Sequence, residues 1–237
     1  MKISITGVDG TGKTSIIRAL QQQFAGSPTH VQAFRAPQYH ENPDAPFSKF
    51  STSIDALSVL ADKTGDPLLK TCALFLSMTL YGDVEAHYEH AFHPRFLFSE
   101  RQALADSLAY SKFYKGLLTG PLKPRKLESQ GALEDWLLVL RSRLPAKSSI
   151  HADKLALWNL PLFIRELFEL EPDDLVEHLK ALYHCSYPDQ IVFLKVSSPR
   201  LMERLAQKAA GGTQKELHEK KHVLEALQAG LEQCCQV

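Results

Sequence analysis

Ile3 and Ile5 alternate with polar neighbours at the head of the chain, a glycine-rich turn follows, and Ser15 to Phe24 sets Ile16, Ile17, Leu20 and Phe24 at helical spacing. The pattern predicts strand, loop, helix. A second extended segment, Thr29 to Phe34, ends at Arg35-Ala36-Pro37, and Pro43 and Pro46 forbid regular helix in the stretch beyond it. Helical periodicity returns over Phe47 to Leu60 and over Pro67 to Phe92, with Gly65-Asp66 as the break and Pro67 placed at a helix start. Arg95 to Ser99 is short, apolar and aromatic, as a buried strand of a parallel sheet is, and it delivers Glu100-Arg101 to its loop. Helical patterns follow near Leu133 to Leu144, Leu155 to Leu170 and Asp173 to His184. Ile191 to Val196 is the clearest strand, Ser197-Ser198-Pro199 starts a helix running over Arg200 to Gln207, and Gly211-Gly212 separates it from a last charged helix, Thr213 to Cys234. Strands that alternate with helices imply an α/β fold with a parallel sheet covered on both faces.

Composition removes whole classes of function. The 237 residues carry 27 Lys+Arg against 27 Asp+Glu, which excludes a polybasic nucleic-acid carrier or an acidic tail. The lysines of 215–221 are interleaved with Glu216 and Glu219 and read as a salt-bridged helix face. Apolar runs are interrupted, as by Asn159 and Pro161, well before the roughly 18 residues of a membrane span. Met1-Lys2 leads at once into the first strand, leaving no room for a signal peptide, and Cys72, Cys185, Cys234 and Cys235 lack C-x-x-C spacing, so a cytoplasmic address with reduced thiols is expected. His87, His90 and His93 recur every three residues, but no carboxylate or cysteine completes a metal set with them.

The chemistry lies in the first turn. Gly7-Val8-Asp9-Gly10-Thr11-Gly12-Lys13-Thr14 fits G-x-x-x-x-G-K-[ST] at a strand-to-helix junction, the phosphate-binding P-loop pattern. Its glycines let backbone N–H groups converge on a phosphate, Lys13 adds a point charge on β- and γ-phosphates, and the Thr14 hydroxyl is suited to Mg²⁺. In open parallel sheets the remaining groups gather beyond the carboxyl ends of the strands, which here carry Asp9, Arg35 and Glu100-Arg101. An arginine at such a place grips phosphate with two parallel bonds, and a carboxylate orients Mg²⁺ or accepts a hydroxyl proton.

These residues resemble the thymidylate kinase family of P-loop nucleoside monophosphate kinases. The turn resembles that family's P-loop down to the Asp at its third position; Arg35-Ala36-Pro37 resembles its Arg-Glu-Pro; Ala73-Leu74-Phe75-Leu76 resembles the helix whose Phe stacks on the acceptor base. Glu100-Arg101 and Ser107-Leu108-Ala109-Tyr110 resemble its Asp-Arg and Ser-x-Ala-Tyr, and Pro188 to Val196 with Met202-Glu203-Arg204-Leu205 is similar to its fourth strand and the helix leading to its lid. The resemblance implies a three-layer P-loop NTPase fold over residues 1–237, a helical insertion at about 120–187, a lid-like segment at about 206–215, and pairing as a homodimer. It further implies ATP on Gly7, Gly10, Thr11, Gly12, Lys13, Thr14 and Ser15; Mg²⁺ on Thr14 and Glu100; catalysis by Lys13, Asp9, Arg101 and Glu100; and an acceptor such as dTMP on Asp9, Arg35, Phe75, Arg101, Ser107 and Tyr110.

Departures accompany these matches. Ala36 stands where the family has Glu, Thr79 where it has the arginine that reads thymine, and Ser111 where it has Gln. The lid segment offers Lys208 and Lys215 in place of arginine, and the chain ends near where a fifth strand and a closing helix are expected. Two other readings therefore stand beside the first. Glu100-Arg101 also resembles the Glu-Arg pair of deoxynucleoside kinases, although no clear carboxylate follows the second strand to act as base, and the chain also fits a nucleotide-binding module without catalysis.

Overall fold

The computed structural model describes residues 1–114, 118–210 and 221–234. The Gly211-Gly212 break, Lys215, the first turns of the expected last helix and Cys235 lie outside the described residues, as does the Lys208 side chain.

Four strands, β1 (Lys2–Thr6), β2 (Val31–Phe34), β3 (Phe96–Glu100) and β4 (Gln190–Phe193), form one all-parallel sheet in the order β2-β3-β1-β4. Side chains alternate across it, because a strand turns every second residue to the same face. Ile5 and Ala33 pack with Ile17 of helix α1 (Lys13–Gln23), and Phe98 and Leu20 close around them. On the opposite face Phe34 and Leu97 enter a larger core built with α2 (Ser48–Thr64), α3 (Pro67–Met78), α4 (Tyr81–Phe92) and α5 (Ala103–Tyr114). The sheet is thus flanked by helices on both faces, as the alternating pattern predicts. Among the described residues no helix is long and apolar enough to cross a membrane.

The stretch expected as an insertion holds α6 (Gln130–Arg143), α7 (Leu160–Phe168) and α8 (Pro172–Tyr183). Leu133, Leu140, Phe163, Ile164, Leu179 and Leu182 are buried in the same core as Phe34 and Leu97, so these helices extend the main body. A smaller cluster joins Val8 and Ala109 to α9 (Ser198–Ala210) and α10 (Lys221–Cys234) through Leu201, Leu205, Leu224 and Leu227.

Three expectations shift. The helix predicted over Pro67 to Phe92 is two helices, parted at Thr79-Leu80, where the N–H of Leu80 turns back to the Ser77 carbonyl at 3.2 Å. Both residues keep right-handed backbone angles, so hydrophobic spacing carries no mark of the bend. The strand at Ile191 is short and lies at the sheet edge with Val192 43% exposed, the least covered of the four. On α1 the apolar side narrows to Ile17 and Leu20, while Ile16 stands 38% exposed.

Candidate functional site

Chain order fixes where a ligand can enter. From β1 the chain passes through α1 to β2, beyond β3, whereas from β3 it continues to β4, beyond β1. Neighbouring strands whose connections leave in opposite directions open a crevice at their carboxyl ends. A cavity of about 1010 Å³ lies there, lined by residues 9–15 after β1, by Glu100 at the end of β3 and Arg101 after it, and by side chains from α3, α5, α7 and α8.

The loop after β1 has a built reason for its glycines. A Cβ on Gly7 would stand 2.6 Å from the Leu194 carbonyl oxygen, so only glycine lets the chain pass β4 this closely. Gly12 takes the left-handed conformation at φ 101° as it caps α1. The Val8 carbonyl receives the Thr11 hydroxyl at 2.8 Å and Lys13 Nζ at 2.9 Å, folding the loop onto itself. Among the described residues none accepts from the N–H groups of Gly12, Lys13, Thr14 or Ser15, the donors a helix start leaves for an anion. Gly7 itself lies behind the loop and outside the lining.

Around this loop the charged groups interlock. Arg101 donates to Asp9 at 2.6 Å and to Asp106 at 3.2 Å, and Asp106 accepts the Thr6 hydroxyl at 2.9 Å. Arg101 holds a left-handed backbone at φ 70°, fixed by its N–H on the Ile5 carbonyl at 2.8 Å; a strained residue of this kind at a cavity wall is a mark of functional sites. Glu100 takes the Thr14 hydroxyl at 2.8 Å through one oxygen and Arg35 Nε at 3.1 Å through the other. Arg35 also pairs with Glu41. Among the described residues of the lining, five basic side chains, Lys13, Arg18, Arg35, Arg101 and Arg204, face four acidic ones, Asp9, Glu41, Glu100 and Asp106.

Burial sets the proton affinities. It pushes the Asp106 carboxyl up more strongly than Arg101 and Lys13 pull it down. Burial also draws Arg101 down, but Asp9 first among its carboxylate neighbours outweighs this and holds the guanidinium well above its ordinary value. Lys13 is lowered to about 8, by burial first and then by the charge of Arg101, against the help of Asp9. Its folded value lies below the ordinary one, so its contribution to stability is present above pH 10.5 and is lost as pH falls through about 8. A polyphosphate bound against Lys13 would reverse this by restoring it toward its ordinary value. Such binding at pH 8 to 10 would take up a proton, and its affinity would fall as pH rises past about 8. Calorimetry in two buffers of different ionisation heat reads the uptake; none in that range would mean that Lys13 does not meet the phosphates.

Of the residues expected at the site, Asp9, Arg35, Phe75, Glu100, Arg101, Ser107 and Tyr110 all line this one cavity, with Gly10, Thr11, Gly12, Lys13, Thr14 and Ser15. Phe75 is both core and wall: its ring leans on Phe163 and Tyr183 at centroid distances of 6.2 and 6.0 Å. Thr79, where the family resemblance puts a base-reading arginine, is fully buried and accepts the Trp136 indole N–H at 2.7 Å. Four lining charges escape sequence reasoning: Arg18, Glu41, Asp106 and Arg204. Glu41 corrects the expectation that no carboxylate follows the second strand, since the 3₁₀ turn Tyr39–Glu41 carries it back to Arg35. Arg204 reaches the Gly10 carbonyl at 3.2 Å from α9, two residues before the lid segment; its signal was its place between Leu201 and Leu205, which pack on Gly10. No protein family matches the chain in a scan against family models, and no curated protein matches it in sequence.

Proposed function

We propose that the protein is an ATP-dependent nucleotide kinase resembling thymidylate kinase, moving the γ-phosphoryl group of ATP onto the phosphate of a nucleoside monophosphate such as dTMP. One observation carries this reading: the anion-ready loop with Lys13 and the arginines Arg35 and Arg101 share a single cavity at the carboxyl edge of the sheet. The loop N–H groups and Lys13 take the β- and γ-phosphates, Arg35 and Arg101 the acceptor phosphate, Asp9 and Tyr110 the sugar, and Phe75 the ring. Arg204 braces the loop from α9.

The Thr14 hydroxyl and the Glu100 carboxylate, 2.8 Å apart, are the oxygens that would hold Mg²⁺, which typically takes one or two protein oxygens and leaves the rest to phosphate and water. Bound there, the ion supplies positive charge against the phosphates, which a lining with one surplus basic group does not balance. An oxygen of the acceptor phosphate attacks the γ-phosphorus, the bond from that phosphorus to the β-bridging oxygen breaks, and ADP leaves. This acceptor needs no base, because a phosphate monoester with a second pKa of about 6 is already ionised at neutral pH.

Glu41 favours a second reading, a deoxynucleoside kinase, because a sugar hydroxyl must lose a proton on transfer and Glu41 is a carboxylate on the cavity wall. Following ADP release from ATP·Mg²⁺ over a panel of nucleosides and nucleoside monophosphates separates the two. Monophosphate-dependent release is expected; release that needs a nucleoside and collapses in Glu41→Gln would give the reaction to the second reading, and ATP binding without release to a non-catalytic module.

A further inference from the structure

The acceptor end of the cavity offers few groups that can read a ring edge. Thr71, Leu74, Phe75 and Met78 recur at helical spacing along one side of α3 and make an apolar wall. The hydroxyls beside it are already engaged: Thr71 donates to the Pro67 carbonyl at 2.8 Å, Ser111 to the Leu108 carbonyl at 2.7 Å, and Ser107 and Tyr183 bond each other at 2.8 Å.

Gln38 differs from all of them. It is half-buried, it lines the large cavity, and with Pro37 and Leu74 it forms the partition to a smaller cavity of about 310 Å³. Among the described residues none donates to its side-chain amide or accepts from it, while its backbone carbonyl takes the Glu41 N–H at 3.1 Å. A ligand that seals such a group from water without pairing it loses about 1–3 kcal/mol, so a fitting ligand brings its own partner.

We propose that Gln38 reads the edge of a planar ring lying against Phe75, and that the acceptor is a ring-bearing monophosphate of either keto or amino type; the inference rests on the kinase reading above. The amide sets a carbonyl beside an NH₂ group, and its last torsion is broad and nearly two-fold, so the two exchange at little cost. One orientation faces a ring N–H beside a ring carbonyl, and the other a ring nitrogen beside an amino group. Gln38 thus separates ring-bearing acceptors from ringless ones without choosing between keto and amino bases, a breadth that an arginine, which only donates, does not have.

The test measures dissociation constants for dTMP, dCMP and ribose 5-phosphate by calorimetry on the parent, Gln38→Glu and Gln38→Met, with a non-hydrolysable ATP analogue and Mg²⁺ alongside. The parent is expected to bind dTMP and dCMP within about threefold of each other, and both at least about tenfold tighter than ribose 5-phosphate. Gln38→Glu, which can only accept, keeps one of the two bonds to either ring and weakens dTMP and dCMP alike by about fivefold; Gln38→Met, which keeps neither, weakens both by about tenfold or more, and both variants leave ribose 5-phosphate in place. Unchanged affinity for dTMP and dCMP in Gln38→Glu, or equal weakening of ribose 5-phosphate in Gln38→Met, overturns the role of Gln38 while the analogue still binds. Failure of the parent to bind the analogue overturns the kinase reading and this inference with it.

Discussion

On the kinase reading proposed above, replacing Lys13 with methionine is expected to abolish phosphoryl transfer, lowering kcat/KM by about a thousandfold or more, while the empty protein stays folded and melts no lower than the parent. The separation of the two effects follows from the environment of one atom. Lys13 Nζ is buried; among the described residues it donates to the Val8 carbonyl at 2.9 Å and pairs with Asp9 at 3.6 Å, and its proton is held weakly, with a value of about 8. In the absence of phosphate that charge is a cost to the fold, and methionine keeps the volume and removes the charge. At the β- and γ-phosphates it is the loop's own cation, since Arg101 and Arg35, on the acceptor side, are tied to Asp9 and Asp106 and to Glu100 and Glu41, while Arg18 is tied to Glu41 and Arg204 to the Gly10 carbonyl. ATP·Mg²⁺ is expected on that reading to raise the melting temperature of the parent, and the rise to vanish in the variant. A thermal shift that survives in Lys13→Met would show that the triphosphate binds elsewhere.

The parts of the site that could be read in the sequence are those whose geometry is local. A strand, a loop of fixed length and a helix start are specified by eight consecutive residues, so the turn from Gly7 to Thr14 could be placed before any contact was known. Arg35, Glu100 and Arg101 were legible because each follows a strand, and parallel strands deliver their ends to one edge. The opposite wall was not legible. Ile164 and Phe168 come from α7, and their approach to Phe75 depends on helix packing across some ninety positions, which no local period encodes. Asp106, Glu41 and Arg204 were missed for another reason: a single charge on a helix or turn is usually solvated, and only the fold reveals that Asp106 is 1% exposed beneath Arg101. Thr79 shows the same gap from the other side. Aligned by resemblance with a base-reading position, it lies where the chain bends between α3 and α4 and turns into the core toward Trp136.

Gly82→Ala is expected to be the most destabilising methyl-sized change at any of the chain's described glycines. A Cβ there would lie 1.9 Å from the His184 carbonyl oxygen and 2.5 Å from that of Tyr183, where the first turn of α4 meets the end of α8. Backbone atoms yield far less easily than side-chain tips, and this stretch is held from several sides. Cys185 N–H closes on the Lys180 carbonyl at 3.2 Å, Arg143 donates to the Leu182 carbonyl at 3.4 Å, and Asp83 binds both Arg143 and His184. The cost expected is about 3–5 kcal/mol, a fall of roughly 10–15 °C in melting temperature for a chain of this size. Relief by moving α8 has a functional signature, because it draws Tyr183 from Ser107 and loosens the ring behind Phe75. On the kinase reading, KM for the acceptor is then expected to rise several-fold while KM for ATP, which that reading assigns to the loop on the other side of the cavity, changes little. Gly131→Ala is the matched control: that glycine is exposed on α6 with open space where a Cβ would go, so alanine is expected to stabilise by about 0.5–1 kcal/mol. A Gly82→Ala protein that melts within about 2 °C of the parent would mean that α4 and α8 do not touch backbone to backbone, and that Tyr183 owes its place on the cavity wall to something else.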